Sequence, residues 1–334
     1  MKLVLAPMAT LTHQALRYLI HQFGGCDEYF TEMIQAGTLI TGGPFERYYL
    51  LTNPEPEKIV WQLTGTKTAA LVQATETVCK LGGIGVDINM GCCAPDIVRS
   101  GAGIAWMIKP IQETKEMLRQ VGNTIENFRQ HEYNPRFSVK IRLGDENFTE
   151  EGFFAFVDMV INEGVQQITL HPRTRKEKYK LPPKYQYVEK LCNHVKKNGY
   201  PVDIIVNGGI SDSASLNKAM SFGHGTAAAM IGRAAIQKPW IFSQLKGIVP
   251  AKIDLLQTGL DFISYLEKFQ PKEFYKTRLQ RFFAYYSDNV KFSHHLRTQL
   301  LNNPTPEGCQ QELEKYFAQC PHERFIETSQ ENQT

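Results

Sequence analysis

Residues 86–107 read VDINMGCCAPDIVRSGAGIAWM. A strand-like run stops at Asn89, and Cys92 and Cys93 follow on a glycine. A thiol in an open loop past a strand end can act in two ways. As a thiolate it is a nucleophile; as a thiol of ordinary pKa, near ~8.5, it is an acid able to give up a proton. Lys140 and Arg142 close another such run (SVKIR), and His171 closes a third (QITLH), with Arg173 and Thr174 next. The segments NGG (207–209) and IGRAA (231–235) each place glycine just past a strand and before a helix. Backbone N–H groups without side chains around them can approach a phosphate, and Arg233 can add a bidentate contact. Any one of these residues alone is ordinary: a solvated lysine, a turn-forming asparagine, a cysteine used as a small hydrophobe. Their recurrence at successive strand ends carries the argument, and it points to a phosphorylated cofactor.

Eight short apolar, β-branched runs must position these groups: 3–6, 28–31, 59–63, 85–89, 138–142, 167–171, 202–207 and 227–231. Stretches of helical period separate most of them, at 66–81, 150–162 and 213–222. Strands alternating with helices predict parallel β/α units. Eight units in the first 247 residues suit a (β/α)8 barrel, which typically needs ~250. A doubly wound sheet would start with a glycine-rich turn, and the first turn here is APMATLTH. After about residue 250 glycine becomes rare and the period turns helical. The expected organisation is an α/β chain: a (β/α)8 TIM barrel over 1–247, a smaller C-terminal α-helical domain over 248–328, and a polar tail over 329–334.

In such barrels the active site forms at the C-terminal ends of the strands. Pro7 and Met8 follow the first run, Glu32 the second, Gln62 ends the third, and Asn89 with Cys92 the fourth. Lys140 is expected to point toward the barrel axis, where a cation stabilises an anionic reduced flavin, and Gln62 to hydrogen-bond the flavin's amide edge.

The blocks LAPMATLTHQALR, VDINMGCCAP, VKIRLG, LHPRTR, VNGGI and MIGRAAIQKPW together resemble the signature blocks of the tRNA-dihydrouridine synthases. The resemblance extends into the tail, where RLQRFFAYYSDN resembles that family's helical RNA-binding domain. It implies reduction of the uridine C5=C6 bond in tRNA, with FMN as cofactor and NADPH as reductant. By the same resemblance Pro7, Met8 and Ala9 line the flavin. Gln62 and Lys140 contact its ring, with His171 close by. Asn207, Gly208, Gly209, Gly232 and Arg233 hold its phosphate. Asn89 stands near the uracil, and Cys92 is the proton donor; Arg142, at the end of the fifth run, is expected to bind the substrate. Three positions depart from the family's usual pattern: Cys93 stands for a proline, His13 for an aspartate, and Gly209 for an acidic residue.

A net charge of +3 over 334 residues excludes a polycation, so any RNA surface must be local. Residues 272–297 carry Lys272, Lys276, Arg278, Arg281, Lys291 and Arg297 against Glu273 and Asp288. Phe282, Phe283, Tyr285 and Tyr286 interleave with them. The expectation is an aromatic core stripe with a basic face, on which Lys276, Arg278 and Arg281 contact RNA. Seven scattered cysteines without a C-x-x-C, and the short apolar start MKLVLAPM, favour a cytoplasmic, monomeric protein without metal or membrane span. The rival reading is an FMN-dependent oxidoreductase of a free pyrimidine, like the dihydroorotate or dihydropyrimidine dehydrogenases. A basic helical tail argues against it, since a free base needs no such surface.

Overall fold

The computed structural model describes residues 1–129, 133–145, 147–177 and 181–328; the tail expected over 329–334 lies outside them. Eight parallel strands form a closed barrel: β1 (Lys2–Leu5), β2 (Glu28–Phe30), β3 (Ile59–Thr64), β4 (Gly85–Met90), β5 (Arg136–Ile141), β6 (Gln167–Leu170), β7 (Asp203–Asn207) and β8 (Ala228–Ile231). Each pairs with its sequence neighbour, and β1 pairs with β8, which closes the ring. A two-residue strand, Ile34–Gln35, extends the β3 edge past a break in β2.

Strand alternation divides the side chains between two cores. Leu3 and Leu5, Val86 and Ile88, Val139 and Ile141, and Ile204 and Val206 join the large core under the helices. Their alternate neighbours point into the barrel, because successive residues of a strand face opposite sides. On β1, β2, β7 and β8 the inward residues Val4, Phe30, Ile205, Ala228 and Met230 form a second, smaller cluster with Val60, and Glu28 and Asn207 are the buried polar residues on the same faces. On β3 to β6 the inward residues Gln62, Asp87, Asn89, Ser138, Lys140 and Thr169 are polar. The barrel interior therefore holds an apolar cluster on one side and a larger hydrogen-bonding set on the other.

The surrounding helices include α1 (Gln14–Gln22), α2 (Thr68–Cys79), α3 (Ile111–Phe128), α4 (Glu150–Asn162), α5 (Gln186–Asn198), α6 (Ser213–Phe222) and the short α7 (Arg233–Gln237). Two starts show why the chain turns helical there. Thr149 Oγ1 accepts the Gly152 N–H, and Asp212 forms a capping box with Ser215, so donors with no partner inside the helix are satisfied.

Four further helices follow: α8 (Leu255–Phe269), α9 (Lys272–Tyr286), α10 (Ser293–Asn302) and α11 (Pro306–Gln319). An antiparallel ribbon of β9 (Lys252–Asp254) and β10 (Phe325–Glu327) staples the two ends of this region together. Phe262 stacks on Phe282 at 3.6 Å between ring centroids, with Phe283 and Tyr286 packed around them. The aromatic stripe expected from the sequence is thus a core. The same core is continuous with the barrel's outer layer. Tyr18 of α1 stacks on Phe269 at 4.4 Å, and Asn289 donates to the Gln237 carbonyl of α7 at 2.6 Å. Among the described residues no helix is long and apolar enough to cross a membrane.

Candidate active site

The polar side of the barrel mouth is one hydrogen-bonded chain. Ser138 donates to Asp87 Oδ1 at 2.8 Å, and Gln62 Nε2 donates to Asp87 Oδ2 at 2.7 Å. Asn89 Nδ2 donates to Gln62 Oε1 at 2.8 Å, and Asn89 Oδ1 accepts the backbone N–H groups of Gly91 (3.2 Å) and Cys92 (2.9 Å). The direction of this chain follows from its ends. A carboxylate only accepts and a backbone N–H only donates, so the two amides between them have one consistent orientation. The chain holds the start of the thiol loop and leaves Gln62 one amide hydrogen for a ligand.

The loop is fixed from two other sides. Arg142 Nε donates to the Gly91 carbonyl at 2.8 Å, and Ile104 N–H donates to the Cys92 carbonyl at 3.0 Å. Gly103 has φ +60, and a Cβ there would meet the Cys92 carbonyl oxygen at 2.6 Å, so only glycine fits beneath the cysteine. Cys92 and Cys93 are both half-buried and unbridged. Burial, above all, pushes the Cys92 thiol up from its ordinary pKa. At neutral pH it is the protonated thiol, an acid rather than a nucleophile.

Three further titratable groups shape the field. Burial, and then the Arg142 guanidinium, hold the Lys140 ammonium down at about 8. Burial raises Asp87 to about 6, against the opposing hydrogen bonds of Gln62 and Ser138. His171 is lowered well below its ordinary value by burial and then by Lys140 and Arg142. Its Nε2 lies 2.6 Å from Arg173 Nη1. A guanidinium only donates, so the neutral imidazole accepts at Nε2 and carries its proton on Nδ1.

Across the mouth, Asn207 ties β7 to β8 by donating to the Met230 carbonyl at 2.9 Å. Gly208 (φ +114) and Gly209 (φ +74) turn the chain immediately afterwards. A Cβ on Gly208 would meet His171 Cδ2 at 2.8 Å and Arg173 Nη1 at 3.2 Å. Gly232 precedes α7, with Met8 Sδ 3.5 Å from where its Cβ would stand, and Arg233 is exposed at the start of that helix. Pro7, Met8 and Ala9 are half-buried on the loop after β1. The two glycine turns, the cationic Lys140 and the apolar wall fit a planar phosphorylated cofactor: backbone donors at one end, a cation and an amide at the other.

The barrel-mouth residues expected from the sequence therefore gather on one rim, but three cationic side chains sit differently from one another. Lys276 is exposed on α9. Arg281 is exposed too, with Nε donating to Thr10 Oγ1 at 3.2 Å. Arg278 corrects the expectation of an RNA contact: it is 2% exposed, and its Nη1 pairs with Glu32 Oε2 at 3.1 Å. A fully enclosed guanidinium cannot reach a phosphate on an RNA surface. Arg142 is also enclosed, beneath the thiol loop, with Nε committed to Gly91. Asp87, Ser138 and Thr10 belong to the rim machinery and were not singled out from the sequence. The signal for Asp87 was present: it lies two residues before Asn89, hence on the same face of the strand.

The comparisons with known proteins agree with this geometry. The family model described as Dihydrouridine synthase (Dus) matches residues 4–327. The chain belongs to the dihydrouridine synthase family. It is similar to the probable tRNA-dihydrouridine synthase of Staphylococcus aureus (strain COL), at 25% identity over 97% of this chain and 95% of the relative. The Aquifex aeolicus (strain VF5) protein of the same description is 29% identical over 78% of each chain. The tRNA-dihydrouridine synthase B of Pseudomonas aeruginosa is 27% identical over 73% of this chain and 68% of its own. Membership of this family makes the chain an oxidoreductase and favours dihydrouridine synthesis over the free-pyrimidine alternative. The match spans the barrel and the C-terminal helices alike.

Proposed function

We propose that this protein reduces the C5=C6 bond of uridine in tRNA to dihydrouridine, with FMN as the bound cofactor, NADPH as reductant and Cys92 as the proton donor. The observation that carries the reading is the Cys92 thiol: protonated, half-buried, and held by Asn89 at the edge of a rim whose other groups suit a flavin phosphate and ring. The relatives named above are tRNA-dihydrouridine synthases by description, which supports tRNA as substrate.

FMN, when bound, supplies the hydride that adds to C6 of the uracil. Asn207, Gly208, Gly209, Gly232 and Arg233 would hold its phosphate, Pro7 to Ala9 its flank, and Gln62, Lys140 and His171 its ring. Hydride addition leaves an electron pair and negative charge spread over C5 and O4. Cys92 gives its proton to C5, and the resulting thiolate takes a proton from solvent before the next turnover. Lys140 places positive charge beside the site, and below pH 8 most of it is charged. The target base is stacked in folded tRNA, and extruding it costs a few kcal/mol, by analogy with base flipping (~3). Contacts with residues 248–328, including exposed Lys276 and Arg281, would offset that cost; the chemistry falls to residues 1–247.

The test is direct. Purified protein should carry a flavin absorption spectrum, be bleached by NADPH, and be reoxidised by unmodified tRNA with formation of dihydrouridine. Turnover of free uracil at a rate equal to that of tRNA, or a protein that takes up no flavin on reconstitution, overturns the proposal.

A further inference from the structure

Glu32 stands on the rim just past β2, 3% exposed, and each of its carboxylate oxygens has one partner. Oε1 accepts the Thr10 N–H at 2.6 Å, and Oε2 accepts Arg278 Nη1 at 3.1 Å. Thr10 is the one non-glycine residue with positive φ (64°) among the described residues. A β-branched side chain disfavours that conformation, so the surroundings must impose it. They do so from three directions. Glu32 holds the Thr10 N–H, Arg281 Nε donates to Thr10 Oγ1 at 3.2 Å, and the same hydroxyl donates to the Ala9 carbonyl at 2.6 Å. Arg278 and Arg281 are three residues apart on α9, hence on adjoining parts of one helix face.

The charges around this point leave Glu32 without a substitute. His13, beside Arg278 and Arg17, is buried with neither ring nitrogen hydrogen-bonded, and burial and both arginines keep it neutral. Arg17 donates to the carbonyls of Thr12, Leu51 and Asn53. The guanidinium of Arg278 lies over the Phe274 ring at 4.7 Å, and Glu32 is its carboxylate partner.

We infer that Glu32 is a positioning residue: by tying Thr10 to Arg278 it holds the Pro7–Ala9 backbone in its cofactor-lining shape, which makes helix α9 a structural part of the cofactor site. This rests on the reading that Pro7 to Ala9 line FMN. The C-terminal helices then do more than carry RNA. Arg278 and Arg281 are the contacts through which a movement of α9 would reach the loop beside the flavin.

The experiment uses the full-length chain with FMN. Arg281→Ala removes the exposed half of the clamp. Glu32→Met combined with Arg278→Met removes the enclosed half, the acceptor for the Thr10 N–H included, without leaving a buried unpaired charge. FMN dissociation constants are measured by flavin fluorescence, and amide exchange is measured for the peptide containing Thr10. Exchange at Thr10 should rise about tenfold or more in the double variant, and FMN affinity should fall by about tenfold, with a smaller fall in Arg281→Ala. A merely structural contribution would lower the melting temperature and leave Thr10 exchange in the native state unchanged. Unchanged exchange and unchanged FMN affinity in both variants overturn the clamp. If the unmodified protein binds no FMN, the functional proposal fails by itself, and Thr10 exchange still decides the clamp.

Discussion

Asp87→Asn should make the protein more stable at neutral pH and a poorer enzyme there. Asp87 is fully buried, and its folded-state pKa rises from 3.8 to about 6, chiefly by burial. A carboxyl whose pKa is raised on folding contributes stability that is fully present below the unfolded value and is lost as pH rises through the folded one. The cost of ionising it inside the barrel is about 1.5 kcal/mol at pH 5 and about 3 kcal/mol at pH 8. An asparagine carries no such charge and keeps the shape. Its Oδ1 can still accept from Gln62 Nε2. Its Nδ2 can donate to Ser138 Oγ, whose hydroxyl already lies 3.3 Å from the Val86 carbonyl and can donate there instead. The hydrogen-bond count is preserved, so the charge dominates. Denaturant unfolding at pH 5 and pH 8 should show the variant's advantage growing by about 1.5 kcal/mol between them, because the wild type alone pays the ionisation cost. The Asp87 carboxylate also favours the charged form of Lys140. Without it the Lys140 pKa falls further below about 8, and the rate of flavin reduction should lose its neutral-pH plateau at a lower pH than in the wild type. If the variant is no more stable at pH 8 than at pH 5 relative to wild type, the carboxylate is not ionised in the barrel as argued.

Three other outcomes follow from the same geometry. Cys92→Ala should keep FMN and be reduced by NADPH normally, yet lose about 10²-fold or more in flavin reoxidation by tRNA, while Cys93→Ala stays near wild type; the opposite pattern would reassign the acid. Gly208→Ala, at φ +114 and with a Cβ 2.8 Å from His171, should release the cofactor, which gel filtration with absorbance at flavin wavelengths will show; full retention would remove the phosphate turn from the site. Lys276→Ala should weaken tRNA binding at every position alike and reduce the salt slope by about 1, as expected for one phosphate contact, and an unchanged slope would take Lys276 off the RNA face.

The barrel was legible because its strands announce themselves locally. Each is a short apolar run with turn residues at both ends, and parallel strands buried on both sides require such runs. All eight lie within two residues of where the pattern put them. Helices α4 and α6 were legible to the residue, since their caps and periodicity are local too. The rim residues were legible at one remove, as strand ends in this fold face one mouth. Helix α10 was not: its sequence SHHLRTQLLN has a weak apolar period, and its stability comes from packing against α9 and α11.

The sequence alone also set the residue types that the chemistry needs, because a thiol, a lysine and glycine turns have no substitutes of equal function. Which of the charged residues face solvent was settled elsewhere. Arg278 belongs to the Phe274–Phe282 stripe, four residues from each, and that spacing placed it on the inner face of α9. Composition counted it as part of a basic surface; helical geometry and Glu32, 246 residues away in the chain, made it an internal ion pair. The direction of the Asp87–Gln62–Asn89 chain has the same origin. Each amide has two orientations in isolation, and one is selected only when two neighbouring strands bring a carboxylate to one end and a backbone N–H to the other. Local pattern decides what a residue is and which element carries it. Its charge state and its partner are properties of the closed barrel, where burial and neighbours from distant strands act together.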